Sequence, residues 1–260
     1  LSILTSDNNW HNQLINALAA CEVNSGPFFE GPFQLLKLTD QLSINLVSLN
    51  NPFNPQDFIE LQEKYVAKHI KLIHLWEDIW LSKPNQVLAR LTSLLGKNKR
   101  IHGRKTKVHK IAKPIADAFL NENHLQGTVS SRYKIGLFEK EELVAVATFS
   151  ALRKMNHTEN YKSAELIRFA VKAGYSITGG LSKLISYFAE LHQPNDLMTY
   201  ADRDWSAGEA YLRLNFLQTA IIAPQYYQLN AVLQRQLIKD AGTLQAQIFN
   251  TGSLKFILKF

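Results

Sequence analysis

A strand-like run at residues 165–171, Glu-Leu-Ile-Arg-Phe-Ala-Val, is followed within a few positions by the adjacent pair Gly179 and Gly180, which opens a helix-like run to residue 191. This order constrains the chain more than any other feature. Glycines at a strand-to-helix turn let a ligand approach the backbone closely, because no Cβ stands in the way. The free N–H groups and the positive end of the helix dipole then favour a phosphate. The same glycines also suit a plain tight connection, so both readings stay open at this point.

Apolar periodicity organises the rest of the chain. Residues 8–20 read as a helix with Trp10, Leu14, Ile15 and Leu18 on one face and Ser6 or Asp7 as its cap. Gly26-Pro27 and Gly31-Pro32 punctuate a loop, and residues 34–37 and 42–49 read as strands about a turn at Thr39-Asp40. Residues 57–69 read as a helix with Phe58, Leu61, Tyr65 and Val66 inward, 70–76 as a buried strand, and 84–95 as a helix. Residues 108–120 read as an amphipathic helix on Val108, Ile111, Ile115 and Phe119. A hairpin, 133–139 and 143–150, precedes the strand at 164–171. After the glycine-led helix come a strand at 197–201, a short helix at 207–214 and a strand at 216–222. The expected fold class is α/β: a small unit over residues 1–96, then a mixed-sheet domain over 97–260.

Composition narrows the class further. The lone cysteine, Cys21, excludes an internal disulfide framework. No apolar run reaches the roughly 18 residues that span a bilayer. The polar Ser-Asp-Asn-Asn after Leu4 comes too early for a secretory signal, so a cytoplasmic location without membrane partners is expected. The net charge is +7, and it is concentrated. Residues 81–116 hold ten of the 29 basic residues and none of the 22 acidic ones. Lys97, Lys99, Arg100, Arg104, Lys105, Lys107 and Lys110 form the dense part of this stripe, the pattern that neutralising nucleic-acid phosphate requires. It carries affinity rather than base choice.

The segment from Glu165 through Ser176-Ile177-Thr178-Gly179-Gly180-Leu181-Ser182-Lys183 resembles the coenzyme A-binding turn of GNAT N-acyltransferases. The run Ala210-Tyr211 … Phe216 resembles that family's second signature, with Asn215 where the family usually has glycine. The glycines are adjacent here, whereas the family spaces them. The resemblance implies acetyl-CoA or a related acyl-CoA as cofactor. It places Phe169, Ala170 and Val171 on the pantetheine arm, and Ser176, Gly179, Gly180, Ser182 and Lys183 at the pyrophosphate. Tyr211 falls on the general acid, and Glu165 or Asp202 on the base.

Further phrases are narrower: His102-Gly103-Arg104-Lys105, His124-Leu125-Gln126-Gly127, and Tyr200-Ala201-Asp202-Arg203-Asp204-Trp205-Ser206-Ala207-Gly208. They resemble the GNAT-like region of phage and mobile-element proteins that follows a nuclease of the very-short-patch-repair (Vsr) type, and the Mom family of phage DNA-modification proteins. On this resemblance residues 1–96 are a degenerate Vsr-like, restriction-endonuclease-like remnant. Its strands lack the carboxylates that a metal-dependent nuclease needs; only Asp40 lies near them, with Glu77 and Asp78 flanking a strand end. The histidines form no metal-ligand spacing. Two functions follow: a DNA-associated acyltransferase-like enzyme, or a non-catalytic DNA-binding protein using the same scaffold. An active homing-type endonuclease ranks behind both.

Overall fold

The computed structural model describes residues 7–155, 158–238 and 248–260. Ser6, named above as a cap, lies outside them. In chain order the elements are α1 (Asp7–Ala20), β1 (Gly26–Glu30), β2 (Phe33–Thr39), β3 (Leu42–Val47), α2 (Pro55–Ala67), β4 (Lys71–Trp76), α3 (Glu77–Ser82) and α4 (Pro84–Leu94). There follow β5 (Lys99–His102), a 3-10 turn (Gly103–Lys105), β6 (Lys107–Lys110), α5 (Lys113–Asn123), β7 (Tyr133–Glu139), β8 (Glu142–Phe149), β9 (Arg153–Lys154) and β10 (Lys162–Val171). Next come β11 (Tyr175–Thr178), α6 (Gly180–His192), β12 (Asp196–Asp202), α7 (Glu209–Leu212) and β13 (Leu217–Ile222). The chain closes with β14 (Tyr226–Leu229), β15 (Arg235–Leu237), β16 (Ile248–Phe249) and β17 (Ser253–Lys259).

The fold is mixed α/β and forms two compact units. The first comprises Leu1–Pro84, Ala201–Ala207 and Ile221–Leu254; the second comprises Asn85–Tyr200, Gly208–Ala220 and Lys255–Phe260. The sequence places its boundary near Gly96. The units divide at Pro84, and two later segments return to the first unit. No helix among the described residues is long and apolar enough to cross a membrane.

In the first unit the sheet order is β1-β2-β3-β4, with β3 and β4 parallel and joined through α2. An Asn54 capping box starts α2, the side chain accepting from the Gln56 and Asp57 backbone N–H groups. The inner stripe of α2 buries Phe58, Leu61 and Tyr65. Val66, expected to face inward, is 59% exposed, because it lies off the 3.6-residue stripe that those three define. Every residue of β3 is buried, as in a strand covered on both faces. Asn45 and His74 pair there in register, Asn45 Nδ2 lying 3.1 Å from His74 Nδ1. Burial pushes His74 down to about 3, so it is neutral. Asp78 is fully buried and takes two hydrogen bonds from Arg235, whose guanidinium lies over the rings of Trp76 and Tyr227. Glu77 accepts from the Leu49 N–H, and Asp40 is exposed and paired with Lys37. Among the described residues no group of three acids, histidines or cysteines could hold a metal.

Two local expectations are corrected. Residues 26–30, read as loop, form the edge strand β1, where Pro27 costs no ladder bond. Residues 108–110, read as the start of a helix, belong to β6; Pro114 lies in the first turn of α5 and sets the helix start there. The short run Lys-Val-His-Lys satisfies a period of two as well as a helical stripe.

In the second unit the sheet order is β13-β17-β12-β10-β8-β7-β6, with β9 beside β10. Helices α5 and α6 cover its opposite faces. Ala116, Phe119 and Leu120 of α5 pack on Val146 and Ala170. Phe188 of α6 stacks on Phe149, three positions from Val146 and hence on the other face of β8, at 4.1 Å. Beside this sheet β11 and β5 form a parallel pair that the sequence reading did not contain.

Candidate active site

The central feature of the second unit is a parting of two parallel strands. β10 and β12 are in register for only three pairs, Ser163 with Asp196, Ala164 with Leu197 and Glu165 with Met198. A bulge between Leu166 and Arg168 interrupts the ladder from β10 to β8 at the same level. A bulge bends a strand and increases its twist. Here it turns β10 aside where its pairing with β12 ends. At the fork the Thr199 hydroxyl donates to the Leu166 carbonyl at 3.0 Å, replacing the backbone bond that the next pair would have made. Beyond the fork, residues 168–171 pair with β8 along one edge only. Their other edge offers backbone donors and acceptors to an extended, amide-bearing partner.

Tyr211 reaches this fork. It sits on α7, behind Gly208, whose φ is +78°. A Cβ at Gly208 would stand 2.1 Å from the Phe256 ring, so only glycine lets α7 settle on Phe256. The Tyr211 ring packs against Phe216 and Phe256, at 5.5 Å from each. Its hydroxyl is hydrogen-bonded to the Thr199 side chain. Burial raises the phenol above its ordinary range; the charges of Arg90 and Arg168 oppose this without cancelling it. Tyr211 is therefore protonated at neutral pH. Asn215 has a φ of +63°, the left-handed conformation, which explains how Asn serves where glycine is expected.

Glu165 lies in the last paired position of β10 with its carboxylate 3.1 Å from the Arg153 guanidinium. Its N–H is held by the Ser150 hydroxyl. Asp202 belongs to the other unit. Its carboxylate accepts from the Asp204 N–H, while Asp204 accepts from the N–H and hydroxyl of Thr251. The Ala-Asp-Arg-Asp-Trp phrase is thus a turn that clasps the chain at Thr251.

The glycine turn divides its labour. Gly179 has a φ of +74°, is exposed, and would point a Cβ into open space, with only Ser182 Oγ as near as 4.0 Å. No side chain caps α6, and the N–H groups of its first turn have no intrahelical acceptor. A phosphate fits this opening. Gly180 has a different reason to be glycine: its Cβ would meet Ile177 Cγ2 at 2.7 Å. The Ser182 hydroxyl turns back to the Gly179 carbonyl. Lys183, expected at the pyrophosphate, instead donates to the carbonyls of Gly103 and Thr106. Ser176 lies in β11 opposite Arg100. Of the pantetheine set, Ala170 points into the core beneath α5, while Phe169 and Val171 stay half-exposed.

Lys97, Lys99, Arg100, Arg104, Lys105, Lys107 and Lys110 are all exposed. The elements that carry four of them, β5 and the 3-10 turn, lie against the glycine turn. Two positions at the fork were not singled out from the sequence. Thr199 is 2% exposed, and its signal was a hydroxyl in the inward phase of an otherwise apolar strand. Arg168, which donates to the carbonyls of Gly127 and Ile167, carried no local signal at all.

No protein-family model matches the chain, and no curated protein matches it. Similar solved structures are GNAT acetyltransferases at low identity. One, from Elizabethkingia anophelis with acetyl-CoA bound, is 14% identical, with 60% of this chain and 99% of that chain covered and a TM-score of 0.36. The ribosomal-protein-S18-alanine N-acetyltransferase of Escherichia coli is 16% identical, with 59% and 93% covered and a TM-score of 0.39. Naa50 of Arabidopsis thaliana, in complex with a bisubstrate analogue, is 13% identical, with 60% and 99% covered and a TM-score of 0.41. TM-scores this low assign no residue a role, and the chemistry rests on the chain's own geometry.

Proposed function

We propose that the second unit is an acyl-CoA-dependent N-acyltransferase. The observation that carries this reading is the forked β10–β12 pair with the Tyr211 hydroxyl at its apex, bonded through Thr199. An open strand edge suits a ligand with amides along an extended arm, and the Gly179 turn suits its pyrophosphate. Acyl-CoA has both, and supplies a thioester whose acyl carbon bonds to an amine nitrogen as the C–S bond breaks. Tyr211, protonated at neutral pH, gives its proton to the departing sulfur. The Glu165 carboxylate, fixed by Arg153, takes the amine proton.

A titration of acetyl-CoA against melting temperature tests the reading. A ligand that binds only the folded chain raises the midpoint saturably. Tyr211→Phe should keep that shift and lose about 100-fold or more in turnover, the range of general acid catalysis. No shift up to about 1 mM ligand would sink the proposal.

Association with DNA is the second reading, and with it a DNA-bound acceptor or a purely DNA-binding role. It is supported by the seven exposed basic residues of the stripe. The Vsr-like and Mom-like relationships of the first and second units, a phage or mobile-element origin and a cytoplasmic location belong to the same proposal.

A further inference from the structure

We propose that the turn Gly103-Arg104-Lys105 receives the 3′-phosphate of acyl-CoA, so that the core of the basic stripe reads the nucleotide end of that ligand and not DNA. The inference rests on the acyltransferase reading of the same site and adds the residues that select a phosphorylated nucleotide.

Three observations fix the turn against the start of α6. Strand β5 runs parallel to β11 through four consecutive pairs, Lys99 with Tyr175, Arg100 with Ser176, Ile101 with Ile177 and His102 with Thr178. At the end of this pairing, Gly103 lies so close that a Cβ would stand 3.1 Å from the carbonyl carbon and oxygen of Gly179 and from the Thr178 oxygen. Lys183, in the first turn of α6, then clasps the turn by donating to the Gly103 and Thr106 carbonyls. Thr106 is 3% exposed, and its hydroxyl also donates to Gly103. Lys183 is thus a positioning residue. Its ammonium is committed to carbonyls, and what it places beside the glycine turn is Arg104 and Lys105.

Both of these side chains are exposed, and no ion pair to either occurs among the described residues. With no acid anywhere in residues 81–116, nothing nearby in the sequence balances them. Like charges brought together on a rigid turn repel one another unless an anion lies between them. The ligand proposed for this site has two anionic groups: a pyrophosphate, suited to the Gly179 turn, and a phosphomonoester on the ribose. A duplex presents its phosphates along an extended track, so charges that read it are spread along a face. Here Arg104 and Lys105 share one short turn docked to one helix start.

Calorimetric titration of the full chain with coenzyme A and with 3′-dephospho-coenzyme A tests this, on the wild type and on Arg104→Gln/Lys105→Gln. The wild type should bind coenzyme A at least about tenfold more tightly than the dephospho form, the scale of one charge-assisted contact. The variant should keep its affinity for the dephospho form, lose the preference, and melt at the wild-type temperature. Equal affinity of the wild type for both ligands would overturn the proposal and leave the acyltransferase reading standing. Binding of neither would overturn both. Fluorescence anisotropy with a labelled duplex supplies the remaining outcome: a variant that loses DNA binding yet keeps its preference for coenzyme A would make the turn a nucleic-acid surface.

Discussion

The Thr199 hydroxyl donates to the Leu166 carbonyl at 3.0 Å, at the level where the ladder between β10 and β12 ends. The same side chain is bonded to the Tyr211 hydroxyl, so one buried threonine both closes the fork and aims the proposed acid. Thr199→Val keeps the shape and removes both bonds. It should cost about 1–3 kcal/mol in urea denaturation, because a buried carbonyl loses its partner. Turnover should fall along with it. Thr199→Ser should restore both quantities; a valine variant with unaltered turnover would show that Tyr211 is placed by its ring contacts alone.

Asp204 gives the first unit a dependence on pH. Its carboxyl is buried, and burial together with the charge of Asp202 pushes it up to about 7 despite the bonds from Thr251. The unfolded value is about 4. Between these limits the folded chain holds the proton that the unfolded chain has released. Stability therefore falls as pH rises from about 4 to about 7, by at most about 1.4 kcal/mol per pH unit. Asp204→Asn keeps an acceptor for Thr251 and should flatten this slope. Denaturation curves at a series of pH values decide it, and an unchanged slope in the variant would remove Asp204 as the source.

The pair between Asp78 and Arg235 predicts an asymmetric response. Asp78→Ala leaves a largely buried guanidinium over Trp76 and Tyr227 without its carboxylate, and should cost about 3–5 kcal/mol. Replacing both residues by methionine should recover much of that loss, because no charge is then stranded. Guanidinium denaturation of the single and double variants measures the difference. Equal losses in both would mean that packing, and not charge, sets the cost.

Asn215, at a φ of +63°, tests the backbone of the turn after α7. Asn215→Gly should leave stability unchanged or raise it slightly. Asn215→Val should lower it by about 1–2 kcal/mol, since a β-branched residue is strained in the left-handed region. The melting temperatures of the two variants should differ in that order; coincident values would mean that the turn relaxes out of this conformation.

Much of the second unit was legible in the sequence, because its strands carry one apolar face and its helices an apolar stripe. The hairpin β7–β8, the strand β10, the glycine-led α6 and the turn to α7 all have local signals. β11 and β5 did not: four residues each, they are strands only because they pair with one another across some seventy positions of chain. The same holds for the site. Gly179 stood out by its place at a strand-to-helix turn, and Tyr211 was singled out by the family resemblance alone. Thr199, Arg168 and the clasp of Lys183 on Gly103 are long-range contacts, which periodicity cannot express.

The sequence by itself determined the class of the fold, the place of the glycine turn and the concentration of positive charge, because each depends on residue types close together in the chain. Only the tertiary structure decided which groups those features serve. It turned Lys183 from a phosphate ligand into a clasp, gave Gly180 a packing role and drew Asp202 into a turn of the other unit. It also set Arg104 and Lys105 beside the Gly179 turn. The physical reason is that a hydrogen bond or a charge acts over a few ångströms of space, whatever the distance along the chain.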